Sequence, residues 1–293
     1  MKNIPKIKII KKNLTSKELE VFLNFLNNPR YPQNRNKIFQ AFPDLKLKLG
    51  LLSNNEKEKK IVHKFICDFY AKNKEKINQI IKESEHLIKK KSKIALEALS
   101  SLMDYKWPKS MIYYAIPTIL PFSPFKGNSF NFSILGQIRA KNDKNPLFIS
   151  IHEISHFIFF DILEKIAIKI PEDTKNYFKE ALTAVLLNQK PLSDILGLKN
   201  YRGNQEIHDL QIKISKDIVS LTKFIEDYYH TIKIKKGKDF SIFLKEIMII
   251  LEPVFDEFSK KRKIWNEYGN QLSKNYEFLR QYRYPIEIEM PKE

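Results

Sequence analysis

The chain has 293 residues, of which 43% are hydrophobic, so it can bury a core and is not a disordered chain. Its formal net charge is +18, but lysine supplies most of the excess, and arginine, whose planar fork binds phosphates and bases, is scarce. We therefore attribute the charge to composition and do not expect a nucleic acid as partner. A single cysteine, Cys67, excludes an intrachain disulfide and a cysteine-rich zinc finger.

The apolar runs predict a chain without a targeting or membrane segment. The first twenty residues contain lysines but no uninterrupted apolar region of a secretory signal. No stretch of about 18 uncharged apolar residues occurs, so we expect no membrane span. The expectation is a cytoplasmic protein; the sequence does not indicate its oligomeric state.

The N-terminal part, residues 1–105, is predicted to be helical. Thr15 and Glu18 have the spacing of a capping box at the start of a helix. Residues 55–73 and 74–103 show the apolar period of two long amphipathic helices.

Residues 106–293 are predicted to form a mixed domain that begins with strands and continues with helices. Met111–Ile116 is rich in aromatic and β-branched residues and predicts a strand. Apolar and polar residues then alternate from Phe130 to Arg139, which predicts a second, half-exposed strand. Helical period returns at Pro146 and continues to about Tyr284. The expected fold class is α+β, predominantly α-helical, with a small β-sheet.

The motif His152-Glu153-Ile154-Ser155-His156 lies inside one of the most apolar runs of the chain, Leu147–Leu163. On a helix, residues four apart lie on one face, so the two imidazoles can share one metal ion. Glu153 follows about 100° around the helix and can reach a water at that metal. Metal ligation removes the cost of burying polar groups in this run. The run therefore predicts a metal site.

A third ligand is expected, because catalytic zinc usually has three protein ligands. Glu180 is the one acid in the apolar part of the next predicted helix, which begins near Pro171. Glu172 and Asp173 fit better as acids that favour the start of that helix. His208 and His230 are alternative ligands, although each has polar or charged neighbours in sequence.

These residues resemble the gluzincin metallopeptidases of the thermolysin-like clan. The likeness covers about residues 129–188, with the histidine motif on a buried helix and Glu180 one helix later in EALTA. Lys179 stands where thermolysin itself has an asparagine. The resemblance implies a zincin-like arrangement, in which a small sheet precedes the active-site helix. It also implies that the segment Asn131–Ala140 is an edge strand of that sheet and binds the substrate backbone by strand addition.

Carried over to this chain, the resemblance implies that His152, His156 and Glu180 hold one zinc ion and that Glu153 is the general base. The expected function is hydrolysis of peptide bonds in a peptide or protein substrate. Such enzymes also stabilise the oxyanion with a tyrosine or histidine. The candidates for this role are Tyr229, His230 and Tyr268.

Two other classes of function stay open. A peptidase-like fold without catalysis could serve as a binding module, but such a loss would most simply remove Glu153, which is present. A basic helical protein for nucleic acids or other anions would make the motif accidental. That class usually shows clustered arginine or interleaved aromatic and basic residues, and here the lysines are diffuse.

Overall fold

The computed structural model describes residues 3–28, 32–50, 55–139, 145–268 and 276–290. It consists of 66% helix and 11% strand, which confirms the expected α+β class with helices predominant.

The secondary structure elements are numbered in chain order. The helices are α1 (Leu14–Asn27), α2 (Pro32–Ala41), α3 (Pro43–Leu49), α4 (Asn55–Lys72), α5 (Lys74–Leu102), α6 (Leu135–Ile138), α7 (Pro146–Lys165), α8 (Glu172–Asn188), α9 (Leu192–Leu196), α10 (Gln205–Asp209), α11 (Leu221–Tyr229), α12 (Phe240–Leu251), α13 (Phe255–Tyr268) and α14 (Tyr276–Arg283). The strands are β1 (Lys6–Ile9), β2 (Ile112–Thr118), β3 (Phe125–Lys126), β4 (Ser129–Ser133), β5 (Gln211–Ile214), β6 (Asp217–Ser220) and β7 (Ile286–Ile288). A π-helical segment, His230–Lys235, follows α11, and a 3₁₀ turn, Glu252–Val254, follows α12.

The chain folds into two compact units, and both α5 and α7 cross from one unit to the other. The first unit comprises residues 3–93 and 108–153, and the second comprises residues 94–107 and 154–293. This grouping differs from the predicted division after residue 105, because β1 of the N-terminal part pairs with β2.

The first unit is built on a four-stranded sheet in the order β1-β2-β4-β3. Strands β1, β2 and β4 are parallel, whereas β3 is antiparallel to β4. The strand predicted at Met111–Ile116 is confirmed as β2. Its residues alternate in burial, with Tyr113 and Ala115 in the core. Helices α4 and α5 also form close to their predicted bounds.

The strand predicted from Phe130 to Arg139 is correct only as far as Ser133. Residues 135–138 form the short helix α6 instead. Ile134 and Ile138 are both buried, and their spacing of four fits a helical turn as well as strand alternation. The expected edge position is also wrong, because β4 lies between β2 and β3. Ala140 is outside the described residues.

The capping box predicted from Thr15 and Glu18 does not form as such. The residue before α1 is Asn13, which makes no side-chain capping hydrogen bond. The carboxylate of Glu18 is only 2% exposed, and it accepts hydrogen bonds from Thr118 Oγ1 at 2.6 Å and Ile119 N at 3.2 Å. Tyr70 donates a third from α4 at 2.9 Å. The hydrogen bonds of Glu18 therefore connect α1 to α4 and to the end of β2, which are distant from it in sequence.

The second unit is largely helical. Helix α8 is buried along most of its length and packs against α11 and α13. A small three-stranded sheet in the order β6-β5-β7 accompanies these helices. Sequence patterning assigned this whole region to helices and missed the β5–β6 hairpin. The available signal was the alternation of isoleucine with polar residues in QIKI (Gln211–Ile214).

Candidate metal centre

The histidine motif lies on α7, as predicted. Most of the helix is apolar, and the residues Ile151, Ile154 and Ile158 next to the motif positions are completely buried. His156 is 1% exposed, whereas His152 is partly exposed. The division between the two units falls after Glu153, but α7 is continuous there, so helical geometry alone sets the two histidines one turn apart.

Helix α8 brings Glu180 to the same place. Its carboxylate oxygen Oε1 lies 3.3 Å from Nε2 of His156. One ligand atom from each of His152, His156 and Glu180 can be chosen so that all three lie within 4.8 Å of one another. Among the described residues this is the one group of three or more His, Cys, Asp or Glu side chains close enough to hold a metal ion.

The ligand types of this group and its one measured separation can be compared with those of a zinc site. Zinc binds imidazole nitrogen at about 2.0–2.1 Å and carboxylate oxygen at about 2.0–2.2 Å, so tetrahedral ligands stand roughly 3.3–3.5 Å apart. The separation of 3.3 Å between His156 and Glu180 falls in this range. Two imidazoles and one carboxylate also form a donor set typical of a catalytic zinc that keeps a position for water. The residues present therefore fit the ion.

Thr183 and Ser155 form a chain of polar contacts that ends at Nδ1 of His156, the ring nitrogen opposite the one that faces Glu180. Thr183 Oγ1 lies 3.2 Å from Nδ1 of His156, and Ser155 Oγ lies 2.6 Å from Thr183 Oγ1. Both hydroxyl-bearing residues are buried. When Nδ1 of His156 carries the proton and donates a hydrogen bond to Thr183 Oγ1, Nε2 keeps its lone pair. That lone pair points towards Glu180, as metal ligation requires.

The sequence pattern alone did not single out Thr183 as a partner of His156. The available signal was spacing, since Thr183 follows Glu180 by three residues and so shares its helix face. The partner on α7 is 27 residues away in sequence, and nothing local indicates the contact.

Glu153, the predicted base, is 6% exposed and lies next to His152 on α7. A carboxylate in such an apolar environment interacts more strongly with nearby charges and polar hydrogens than it would in water. Its position on the helix is the one that the motif requires.

The other predicted acids and histidines lie elsewhere. Glu172 and Asp173 are in the first turn of α8, as expected from the helix dipole. His208 is 48% exposed, with Asp209 at 3.4 Å, and lines a pocket of about 180 Å³ with Tyr201 and other residues. His208 is not part of the candidate metal group.

The predicted oxyanion residues have different surroundings. The hydroxyl of Tyr229 is buried and donates a hydrogen bond to the carbonyl of Leu102 at 3.1 Å. Burial and nearby Asp104 raise the pKa of Tyr229 above its usual value. His230 begins the π-helical segment, a local irregularity often found at functional sites. Tyr268 ends α13, and its side chain is outside the described part of the structure.

Comparison with protein-family models, curated proteins and solved structures found no match for this chain. Among the described residues, α7 is the one helix long and apolar enough to cross a membrane by length and composition. It is weak evidence for a span, because 78% of its most apolar stretch is buried inside the protein, as in a core helix.

Proposed function

We propose that this protein is a zinc-dependent metallopeptidase with a zincin-like arrangement. The observation that carries the proposal is the convergence of His152, His156 and Glu180, with Glu153 beside them on the motif helix. The order of elements supports it, because a small sheet with one antiparallel strand precedes the motif helix and the glutamate helix follows.

In this proposal the imidazoles of His152 and His156 and the carboxylate of Glu180 hold the ion. When bound, zinc supplies Lewis acidity, which polarises the scissile carbonyl and acidifies a water. The Glu153 carboxylate would take a proton from the attacking water and deliver it to the leaving amine. Thr183 keeps the His156 ring oriented, and the apolar residues of α7 exclude bulk water from one side.

The first test is the metal content of protein purified without chelator. We expect one zinc per wild-type chain once zinc is supplied in excess, and its loss in His156→Ala and Glu180→Ala under the same conditions. Glu172→Ala is a matched control on α8, because Glu172 lies in the exposed first turn. Wild-type protein that binds no zinc, even when zinc is supplied, would exclude the proposal.

The second test separates an enzyme from a binding module. Glu153→Gln keeps the size of the side chain but removes the base, so zinc should stay bound while hydrolysis of a peptide library falls by about 10²–10⁴-fold. Zinc binding without any hydrolysis that depends on Glu153 would indicate a metal-containing binding module instead.

A further inference from the structure

The ammonium group of Lys179 contacts one of the candidate metal ligands, Glu180. Its nitrogen Nζ lies 2.5 Å from Oε1 of Glu180. The same oxygen is 3.3 Å from Nε2 of His156. One carboxylate oxygen therefore faces both a lysine and a ligand histidine.

The burial of Lys179 is unusual for a lysine. Its side chain is 10% exposed, whereas that of Lys175, one turn earlier on α8, is 30% exposed and paired with Glu172 at 3.3 Å. Adjacent residues on a helix do not share a face, so Lys179 is not placed beside Glu180 by helix geometry alone. A lysine side chain at such a position ordinarily extends into water. Burial of an ammonium group is costly unless a counter-charge is close. Here Glu180 supplies that counter-charge.

A divalent ion at the proposed site would bind the same carboxylate. It must either displace the ammonium group from Glu180 or accept a positive charge nearby, and solvent screens that repulsion only in part, because the side chains of Lys179 and Glu180 are 10% and 23% exposed. We propose that Lys179 is a built-in competitor for Glu180, which lowers the affinity of the site for divalent metal so that the site fills only when free metal is abundant. This inference rests on the proposed metal centre and assigns its regulation.

The test is the zinc affinity of the full chain, measured by competition with a chromogenic chelator. Lys179→Met keeps the length of the side chain and removes its charge, and we expect zinc to bind at least tenfold more tightly. Lys179→Arg keeps the charge and should bind zinc about as weakly as the wild type. Lys175→Met removes one positive charge from the same helix, away from the ligands, and should leave the affinity unchanged.

Thermal unfolding checks that each variant is folded, and Lys179→Gln replaces Lys179→Met if the latter is not. Unchanged or weaker zinc binding in the neutral variants would overturn the proposal, as would equal tightening in Lys179→Arg or Lys175→Met. If neither the wild type nor any Lys179 variant binds zinc, the metal centre itself is wrong. That outcome differs from a wild type that binds zinc and a Lys179→Met that binds it equally well.

Discussion

The Thr183 hydroxyl lies 3.2 Å from Nδ1 of His156, so the opposite nitrogen of the ring, Nε2, faces Glu180. This contact joins α7 to α8 and gives the second histidine of the motif a defined orientation. Partners of this kind raise metal affinity because they select the tautomer and limit rotation of the ring.

Thr183→Val is expected to weaken zinc binding by about 10–100-fold, because the isosteric side chain cannot accept a hydrogen bond from Nδ1–H of His156. Thr174→Val is the matched control on α8. Thr174 is fully buried, and its hydroxyl has no hydrogen-bond partner within the described residues, so its loss should not alter zinc affinity. The zinc affinities of both variants and the wild type are measured by competition with a chelator. Equal affinities for Thr183→Val and the wild type would contradict the role assigned to Thr183.

Ser155→Ala should have a smaller effect in the same direction. Ser155 Oγ lies 2.6 Å from Thr183 Oγ1, so Ser155 acts on the imidazole of His156 through Thr183. The expected loss of zinc affinity is less than that of Thr183→Val, and the double variant should be no weaker than Thr183→Val alone, because both residues act through one contact. Additive losses would show that the two residues act independently.

The stability of the first unit should depend on the protonation of Glu18. Burial raises its pKa to about 7, while hydrogen bonds from Thr118, Tyr70 and Ile119 partly oppose the shift. A raised folded-state pKa means that the contribution to stability is fully present below the unfolded value of about 4.5 and is lost as pH rises towards 7.

Glu18→Gln should remove this dependence, because the amide stays neutral and its oxygen can still accept the bonds from Thr118 and Ile119. We expect the variant to be more stable than the wild type at pH 8 by an amount on the order of 3 kcal/mol, and similar to it near pH 4.5. Chemical denaturation across this range measures the difference. Glu20→Gln, on the exposed side of α1, should follow the wild type.

The ion pair between Arg262 and Glu206 should stabilise the second unit. Both side chains are largely buried, at 17% and 10% exposure, and the pair adjoins the hydrogen-bonded hydroxyls of Tyr177 and Tyr282. Arg262→Met leaves the Glu206 carboxylate without its cation, and we expect a loss of about 3–5 kcal/mol in the free energy of unfolding.

Lys190→Met tests a solvent-exposed pair for comparison. Lys190 lies 3.7 Å from Asp194, and the two side chains are 82% and 63% exposed, so the loss should be under about 1 kcal/mol. Denaturation of both variants at one pH gives the contrast. A small loss in Arg262→Met would mean that the buried pair contributes little beyond packing.

Tyr229→Phe should act mainly on stability. Its hydroxyl donates to the Leu102 carbonyl at 3.1 Å in a buried position, so removal should cost about 0.5–1.5 kcal/mol. We expect peptide hydrolysis by the folded variant to stay within about twofold of the wild type, whereas loss of an oxyanion donor costs about 10²–10³-fold in kcat. A loss of that size in Tyr229→Phe, with stability retained, would assign Tyr229 to the oxyanion.

The sequence by itself determined the features that follow from local backbone geometry. A spacing of four places His152 and His156 on one face of any helix, and the apolar period predicted α4, α5, α7 and α8 near their observed bounds. It also singled out Glu180, because this residue is the one acid in the apolar part of its predicted helix.

Only the tertiary structure decided which distant groups meet. Thr183 contacts His156 across 27 residues, and Glu18 contacts Thr118 across 100. The pairing of β4 on both sides and the burial of Lys179 likewise depend on how elements pack. Periodicity records which face of an element is apolar, but it carries no information on which element covers that face. Packing and the need to pair buried polar groups determine those partners.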